Sequence, residues 1–270
     1  MTGMRALACL GALLATPALA VEGSLFPDLV IESRESGDNV KGEVTAFVDH
    51  PFAGASAALR DPAQWCEVLI LSLNVKYCRP SGGGDDTALR VVIGSTEDTM
   101  ESAYPVDFTY RVAAQTAAVL QVRLEAAEGP LGTSAYHITL ELAPALGGRT
   151  RVRFAYSYSQ GWVARLAMQV YLATAGRDKV GFTVVGKLPD GAPRYIAGMR
   201  GVTERNTMRY YLAIEAFLGA LALPPELRSE KCFLAWFAAI ERYPRQLREV
   251  TLADYLVTKR AQRARQRSSS

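Results

Sequence analysis

Residues 201–221, GVTERNTMRYYLAIEAFLGAL, decide the fold of this chain. Apolar side chains recur there at steps of three and four residues, at Tyr210, Tyr211, Ile214, Phe217, Leu218 and Leu221. This spacing places them on one side of an α-helix. The charged residues Glu204, Arg205, Arg209 and Glu215 fall on the opposite arc. Thr203 or Asn206 is available as the N-cap, and Pro224-Pro225 ends the helix. A helix with this much aromatic surface needs a large apolar partner.

The preceding part of the chain supplies that partner as a series of β-strands. Alternation of apolar and polar residues predicts strands at 42–48, 88–94, 106–112, 120–124, 136–142 and 152–158. The linkers between the last four are short and carry Gly129-Pro130 and Gly147-Gly148, which indicates an antiparallel meander with one apolar face. We therefore predict an α+β fold in which a curved antiparallel sheet grips the long helix.

Further helices interrupt and extend this plan. Helical patterns predict helices at 53–60 and 62–71, a helix inserted after the meander at 161–177, and further helices beyond Pro225. Short strands are predicted at 182–186 and 195–201. Residues 21–41 mix charge, Gly and Ser, and form either a poorly ordered lead-in or a short edge element.

The first twenty residues are typical of a cleavable secretory signal. Arg5 precedes an apolar run at 6–15, and Ala18-Leu19-Ala20 supplies the small residues that a signal peptidase needs, so we expect cleavage after Ala20. The alternative is a buried N-terminal helix. The mature protein is thus expected to be soluble and exported, in the periplasm or secreted.

Composition excludes two classes of protein. A hydrophobic fraction of 49% and a charged fraction of 21% are those of an ordinary globular chain, so disorder over most of its length is excluded. A net charge of +3 gives no global basic field, and no nucleic-acid partner is expected.

Export changes how the cysteines are interpreted. Cys66 and Cys78 lie twelve residues apart and could join the end of a helix to the loop that leaves it, because an oxidising compartment permits disulfides. Two separate buried thiols are the alternative, since spacing alone does not establish disulfide geometry. Cys232 is left over in either case.

The chain also resembles the START and Bet v 1-like superfamily, which has a helix-grip fold. The resemblance lies in the order strand, two helices, meander and closing helix, and in GEVTAFVDHPF at 42–52 leading into LRDPAQW at 59–65. It covers residues 42–221. The chain then divides into a signal peptide at 1–20, a lead-in segment at 21–41, a START-like domain at 42–223, and a helical appendage with a basic tail at 224–270.

The resemblance implies a cavity between the sheet and the closing helix that holds lipids, sterols or polyketides, with a minority of members acting as enzymes there. Two departures from the superfamily pattern are the helix at 161–177 and the appendage after Pro225, either of which could plug the cavity. The candidate ligand-binding residues are Trp65, Phe108, Tyr110, Tyr136, Phe154, Tyr156, Tyr158, Tyr171, Arg205 and Tyr211.

Two interpretations of this set stay open. The aromatic residues are either ordinary core or the wall of a pocket, in which buried tyrosine hydroxyls need polar partners. Arg205 either meets an acidic head group at the cavity mouth or forms a surface salt bridge with Glu204 or Asp178.

Catalytic and metal-binding patterns are weak in this sequence. His50 and His137 are the only histidines, and without a cluster of Cys or carboxylates they do not predict a zinc site. The sequence has no G-x-S-x-G motif and no phosphate-binding loop. We therefore expect no catalytic residues, no metal and no cofactor.

These observations predict an exported protein that binds or shuttles a hydrophobic, lipid-like molecule. One alternative is an enzyme that uses tyrosine acid–base chemistry on a substrate in the cavity; another is an envelope interaction protein with a filled core. Five basic residues, Lys259, Arg260, Arg263, Arg265 and Arg267, form a tail that either contacts an anionic membrane surface or is simply a solvated, frayed terminus.

Overall fold

The computed structural model describes residues 29–84, 87–95, 98–174 and 176–268. The predicted signal peptide, residues 1–20, lies outside this part of the chain, as does the predicted lead-in up to residue 28.

Eight strands form one antiparallel sheet. The strands are β1 (Leu29–Ser36), β2 (Asn39–Val48), β3 (Val75–Ser81), β4 (Ala88–Ile93), β5 (Tyr104–Gln115), β6 (Leu120–Glu128), β7 (Thr133–Pro144) and β8 (Thr150–Gln160). Their order across the sheet is β1-β2-β8-β7-β6-β5-β4-β3. The meander predicted from alternation is confirmed, because β5 to β8 are consecutive antiparallel neighbours.

Seven helices surround the sheet in the part of the chain that the structure describes. They are α1 (Phe52–Leu59), α2 (Pro62–Leu69), α3 (Trp162–Ala173), α4 (Gly198–Leu218), α5 (Pro225–Glu241), α6 (Pro244–Leu247) and α7 (Leu252–Ser268). A hairpin of β9 (Val184–Lys187) and β10 (Pro193–Tyr195) precedes α4. Helix α4 packs across β1, β2 and β8 and against α2. This is the helix-grip arrangement that the sequence predicts.

The two faces of the sheet differ as the alternation requires. Val44 of β2 pairs with Phe154 of β8, and both side chains are buried beneath α4. The adjacent Glu43 and Arg153 point outward and form an ion pair with an Nε–Oε1 distance of 2.6 Å. One face of the sheet therefore holds the core, and the other meets solvent.

A glycine allows α4 to approach the sheet closely. A Cβ atom on Gly42 of β2 would overlap Thr207 Oγ1 and lie 2.9 Å from Thr203 Cγ2. The two threonine hydroxyls donate to the carbonyl oxygens of Met199 and Thr203, each at 2.8 Å. Helix α4 thus presents two small side chains, with hydrogen-bonded hydroxyls, where it approaches β2 most closely.

The edge strands and the start of α4 differ from prediction. From Leu29, the segment left open as disordered or edge forms the edge strand β1, paired with β2. Strand β3 was not predicted because it does not alternate; it tolerates Pro80 because it lies at the opposite edge. The strand predicted at 195–201 is wrong over most of its length, since α4 begins at Gly198 with Ala197 as N-cap in place of Thr203 or Asn206.

The polar arc assigned to the first half of α4 is also not a solvent face. Glu204 is 0% exposed, and it accepts hydrogen bonds from Ser33 Oγ at 2.6 Å, Phe182 N at 2.6 Å, and both Thr183 N (2.9 Å) and Thr183 Oγ1 (2.7 Å). It fastens α4 to β1 and to the segment before β9. The surface salt bridge proposed between Glu204 and Arg205 is therefore wrong.

The basic C-terminal tail is a packed helix. Helix α7 continues to Ser268, which contradicts a frayed terminus. Lys259 is fully buried and donates to the carbonyl oxygens of Ser72 (2.5 Å) and Val75 (3.1 Å). Arg260 pairs with Glu230, and Arg263 pairs with Glu67 at 2.6 Å. These three charges are used within the fold.

The helices of the C-terminal appendage, α5 to α7, pack into the same hydrophobic core as the sheet and α4. Trp236 of α5 stacks on Tyr255 of α7 at 5.0 Å, and both belong to the hydrophobic cluster beneath α4. None of the helices in the described ranges combines the length and the hydropathy that crossing a bilayer requires.

Candidate functional site

A cavity of about 450 Å³ lies between the sheet, α3 and α4. Strands β4 to β8 supply its concave wall, α3 closes it on one side, and Tyr210 of α4 reaches it from another. Its main apolar and aromatic lining residues are Val91, Ile93, Phe108, Leu124, Tyr136, Ile138, Tyr156, Tyr158, Ala164, Ala167, Met168, Tyr171 and Tyr210. The space between the sheet and α4 is therefore a cavity, and the inserted helix α3 forms one of its walls.

Small residues on α3 keep the cavity open. Ala164 and Ala167 lie one turn apart and line the space, with Met168 and Tyr171 on the same side of the helix. The opposite side carries Trp162, Leu166 and Val170, which are 72%, 54% and 57% exposed. Helix α3, which could have filled the cavity, therefore covers it and places two small alanine side chains against it. The other suspected plug, the appendage, is not part of the lining of this cavity.

Aromatic rings in contact form the cavity wall. Tyr136 stacks on Tyr158 with ring centroids 5.3 Å apart, and Tyr158 meets Tyr156 at 5.4 Å. Tyr156 meets Tyr210 at 6.1 Å, so the contacts run from the sheet to α4. Period-two alternation places Tyr156 and Tyr158 on one face of β8. Such contacts restrict the rings, which gives the wall a fixed shape.

The tyrosine hydroxyls are neutral polar points. Tyr136 donates a hydrogen bond to Thr133 Oγ1 at 2.6 Å. Burial raises the pKa of Tyr136 to about 12, and burial also raises the pKa of Tyr156 and Tyr158 above the ordinary value. The pKa is raised in all three tyrosines, and burial is the main cause in each. These groups therefore stay protonated at physiological pH and can donate or accept hydrogen bonds.

A second cavity, of about 670 Å³, adjoins the first and forms its mouth. Asn74, Ile93, Leu131, Met168 and Tyr171 line both spaces. The mouth adds polar residues, namely Asp98, Ser102, Arg205, Asn206, Arg209 and Glu249. An apolar chamber thus opens into a polar entrance beside the first half of α4.

Arg205 is the unusual group at this mouth. Its side chain is 2% exposed, and its Nη2 lies 3.4 Å from the Tyr171 hydroxyl. Within the described residues, Nε and Nη1 have no hydrogen-bond partner. Burial lowers the pKa of Arg205, with the nearby Arg209 acting in the same direction. A guanidinium nevertheless stays charged at any physiological pH.

The structure brings most of the predicted site residues together. Phe108, Tyr136, Tyr156, Tyr158 and Tyr171 line the chamber. Arg205 lines the mouth, as one of the two interpretations had it.

Four predicted residues lie elsewhere. Trp65 is 1% exposed and donates from Nε1 to Leu59 O at 2.7 Å, and the Tyr110 hydroxyl reaches the same oxygen at 3.4 Å. Phe154 packs on Tyr210 in the core, and Tyr211 is a core residue 3% exposed. The concave face extends beyond the chamber, and α1, α2 and α4 cover these parts of it.

Sequence reasoning missed several residues that line the chamber, among them Tyr210, Ala164 and Ala167. Tyr210 was used to define the helix but was not assigned to the site, because neighbouring positions on a helix differ by only about 100° and Tyr211 fitted the same stripe. The small residues Ala164 and Ala167 carried no chemical signal at all. Only a fold that places α3 over the sheet identifies them.

Cys66, Cys78, Cys232 and His137 do not line the chamber or its mouth. Cys66 and Cys78 form a disulfide with Cα atoms 5.1 Å apart, which joins α2 to β3. Cys232 is a buried free thiol whose pKa burial raises to about 12. His137 is exposed on β7 near Glu125. No group of three or more metal-ligating side chains occurs among the described residues.

Comparisons with known proteins give distant structural likeness alone. The chain matches no protein-family model and no curated protein. It is similar to norcoclaurine synthase from Thalictrum flavum, at 13% identity over 63% of this chain and 88% of that one, with a TM-score of 0.35. It is also similar to human StAR-related lipid transfer protein 5, at 11% identity over 54% and 76% of the two chains, with a TM-score of 0.37.

A third similar structure is Ara h 8.0201, at 13% identity over 51% of this chain and 91% of that one, with a TM-score of 0.34. The helix-grip fold of this chain is shown by its own strand order and by the place of α4 across β1, β2 and β8.

Proposed function

From the helix-grip fold and the chamber beneath α3, we propose that this protein binds a hydrophobic, lipid-like molecule and carries it without chemical change. The observation that carries the proposal is an apolar, aromatic-walled chamber of about 450 Å³. This volume lies within the roughly 300–1,000 Å³ of small-molecule sites in proteins. Filling it removes apolar surface from water, at about 25 cal/mol for each Å².

Two other functions receive less support. A filled core would leave the appendage as the working surface, and the open chamber argues against it. Tyrosine acid–base catalysis needs a group whose pKa is brought toward neutrality. Burial shifts the pKa values of Tyr136, Tyr156 and Tyr158 the other way. The two mouth carboxylates are engaged: Asp98 accepts from Ser95 N at 2.5 Å, and Glu249 bonds Arg209.

We also propose that the protein works in the periplasm or after secretion. The support is the pattern of the first twenty residues, which is that of a cleavable signal. The Cys66–Cys78 disulfide fits the same proposal, because structural disulfides persist in oxidising compartments.

Native mass spectrometry of the full chain, purified without detergent, tests the carrier proposal. The expected result is one bound apolar molecule per chain, recovered as the same species by organic extraction. Repeated recovery of nothing, together with no binding of a neutral naphthylamine probe, would refute it.

A further inference from the structure

We infer that the natural ligand is an anionic amphiphile whose head group, a carboxylate or a phosphate monoester, binds Arg205 while its chain fills the chamber. This inference rests on the proposed carrier function and names the chemical class of the ligand.

Arg205 is a buried cation that forms no salt bridge within the described residues; burial lowers its pKa, and Glu249 acts electrostatically in the opposite direction without pairing with it. Arg205 is 2% exposed, and its one hydrogen-bond partner among the described residues is the Tyr171 hydroxyl, 3.4 Å from Nη2. Nε and Nη1 face no acceptor anywhere in the described part of the chain. Buried charges in proteins are normally paired, because an unpaired one loses its hydration without compensation. A ligand anion supplies the missing partner.

The two carboxylates of the mouth already accept hydrogen bonds from other groups. Glu249 accepts from Arg209 Nη2 at 2.5 Å, and Asp98 accepts from Ser95 N and, at 3.5 Å, from Ser102 Oγ. Neither carboxylate bonds Arg205. Arg209 also leaves its buried Nε without a partner among the described residues. The positive charge of Arg205 at the mouth is therefore not neutralised by a direct ion pair within the described residues.

Arg205 also lies where a bound molecule could contact the mouth and the chamber together. Tyr171 contacts Arg205 and also lines the chamber, and Met168 lines both the chamber and the mouth. A chain that starts at Arg205 thus passes these two side chains and enters the aromatic chamber. The polar end and the apolar end of the site together match a molecule with a single charged head and one apolar body.

The test compares ligands that share one chain. Dodecanoate, dodecyl phosphate and dodecanol are titrated by displacement of a neutral naphthylamine probe from the wild-type full chain. Charge-assisted hydrogen bonds predict that at least one anion binds about tenfold or more tightly than the alcohol. Preference between the two anions identifies the head group.

Three variants test whether Arg205 causes the preference for anions over the alcohol. Arg205→Gln is expected to abolish the preference for anions while leaving the affinity for dodecanol within about threefold. Arg205→Lys keeps the charge and should retain part of the preference. Arg242→Gln removes the same charge from an exposed ion pair with Glu215 and should change neither affinity.

The thermal midpoint separates a binding role from a structural one. Because Arg205→Gln removes a buried unpaired charge, its ligand-free form should unfold at or above the wild-type temperature.

Two results would overturn the inference and leave the carrier proposal intact: wild-type protein that binds dodecanol as tightly as both anions, or Arg205→Gln protein that keeps the full preference. Failure of all three ligands and of the probe to bind wild-type protein would instead refute the carrier proposal, and the inference with it. Since the comparison among ligands needs only wild-type protein, a variant that does not fold leaves the test valid.

Discussion

A larger side chain on α3 that fills the chamber should weaken ligand binding strongly without harming the fold. Ala167 lies on α3 and lines the chamber. Phenylalanine at this position would project a ring into the space that the ligand chain occupies. The helix itself accepts the change, because residue 167 lies in the middle of a regular helix with an accessible side chain.

The size of the effect follows from the ligand surface that the ring displaces. A phenyl ring takes the room of about four methylene groups, and each buried methylene contributes about 0.8 kcal/mol. The expected loss is therefore roughly 3 kcal/mol, or about a hundredfold in affinity for a dodecyl ligand. Because the ring enters a void, the free energy of unfolding should change by less than about 1 kcal/mol.

The assay is displacement of the naphthylamine probe together with urea unfolding. The matched control is Ala173→Phe, which places the same ring on the same helix at an exposed position and should leave binding unchanged. Unaltered binding by Ala167→Phe would refute the location of the site. A loss of stability of about 1–3 kcal/mol would show that side chains already fill the space.

Three further predictions concern the scaffold. Gly42→Ala should cost about 1–3 kcal/mol of unfolding free energy in urea, since its Cβ would overlap Thr207, whereas Gly83→Ala, which meets open space, should stay within about 0.5 kcal/mol. Glu204→Ala removes the acceptor of one buried and three part-buried donors, so we expect a loss of at least about 3 kcal/mol; a loss below about 1 kcal/mol would contradict the assigned role. Cys232, whose pKa burial raises to about 12, should resist iodoacetamide in mildly alkaline solution until the chain is unfolded; rapid labelling of native protein would contradict its burial.

The fold was accessible from sequence because its main signals are local. Period-two alternation defines β5 to β8, and the aromatic stripe defines α4. Strand β3 was missed and β1 was left open as one of two alternatives, because neither has such a signal. Strand β1 carries three charged residues in LVIESRES, and β3 contains Pro80, so pairing with a neighbour was the deciding factor in each case.

The site was only partly accessible, because two residues with the same local pattern can have different surroundings. Phe108 and Tyr110 both point to the concave face of β5, yet only Phe108 reaches the chamber. The position of α1 and α2 over the end of the strand makes the difference.

The buried charges on α4 show the same limit. Periodicity assigned Glu204 and Arg205 to solvent, whereas contacts with β1, the segment before β9 and the cavity mouth bury both residues. These contacts join parts of the chain that lie 21 to 171 residues apart, and no local pattern records them.

The most direct measurement of the central claim is the anomalous diffraction of a brominated dodecanol bound to crystals of this protein. We predict one bromine peak inside the chamber, among Tyr136, Tyr156 and Met168. A chamber occupied by protein side chains, or bromine found only on the outer surface, would contradict it.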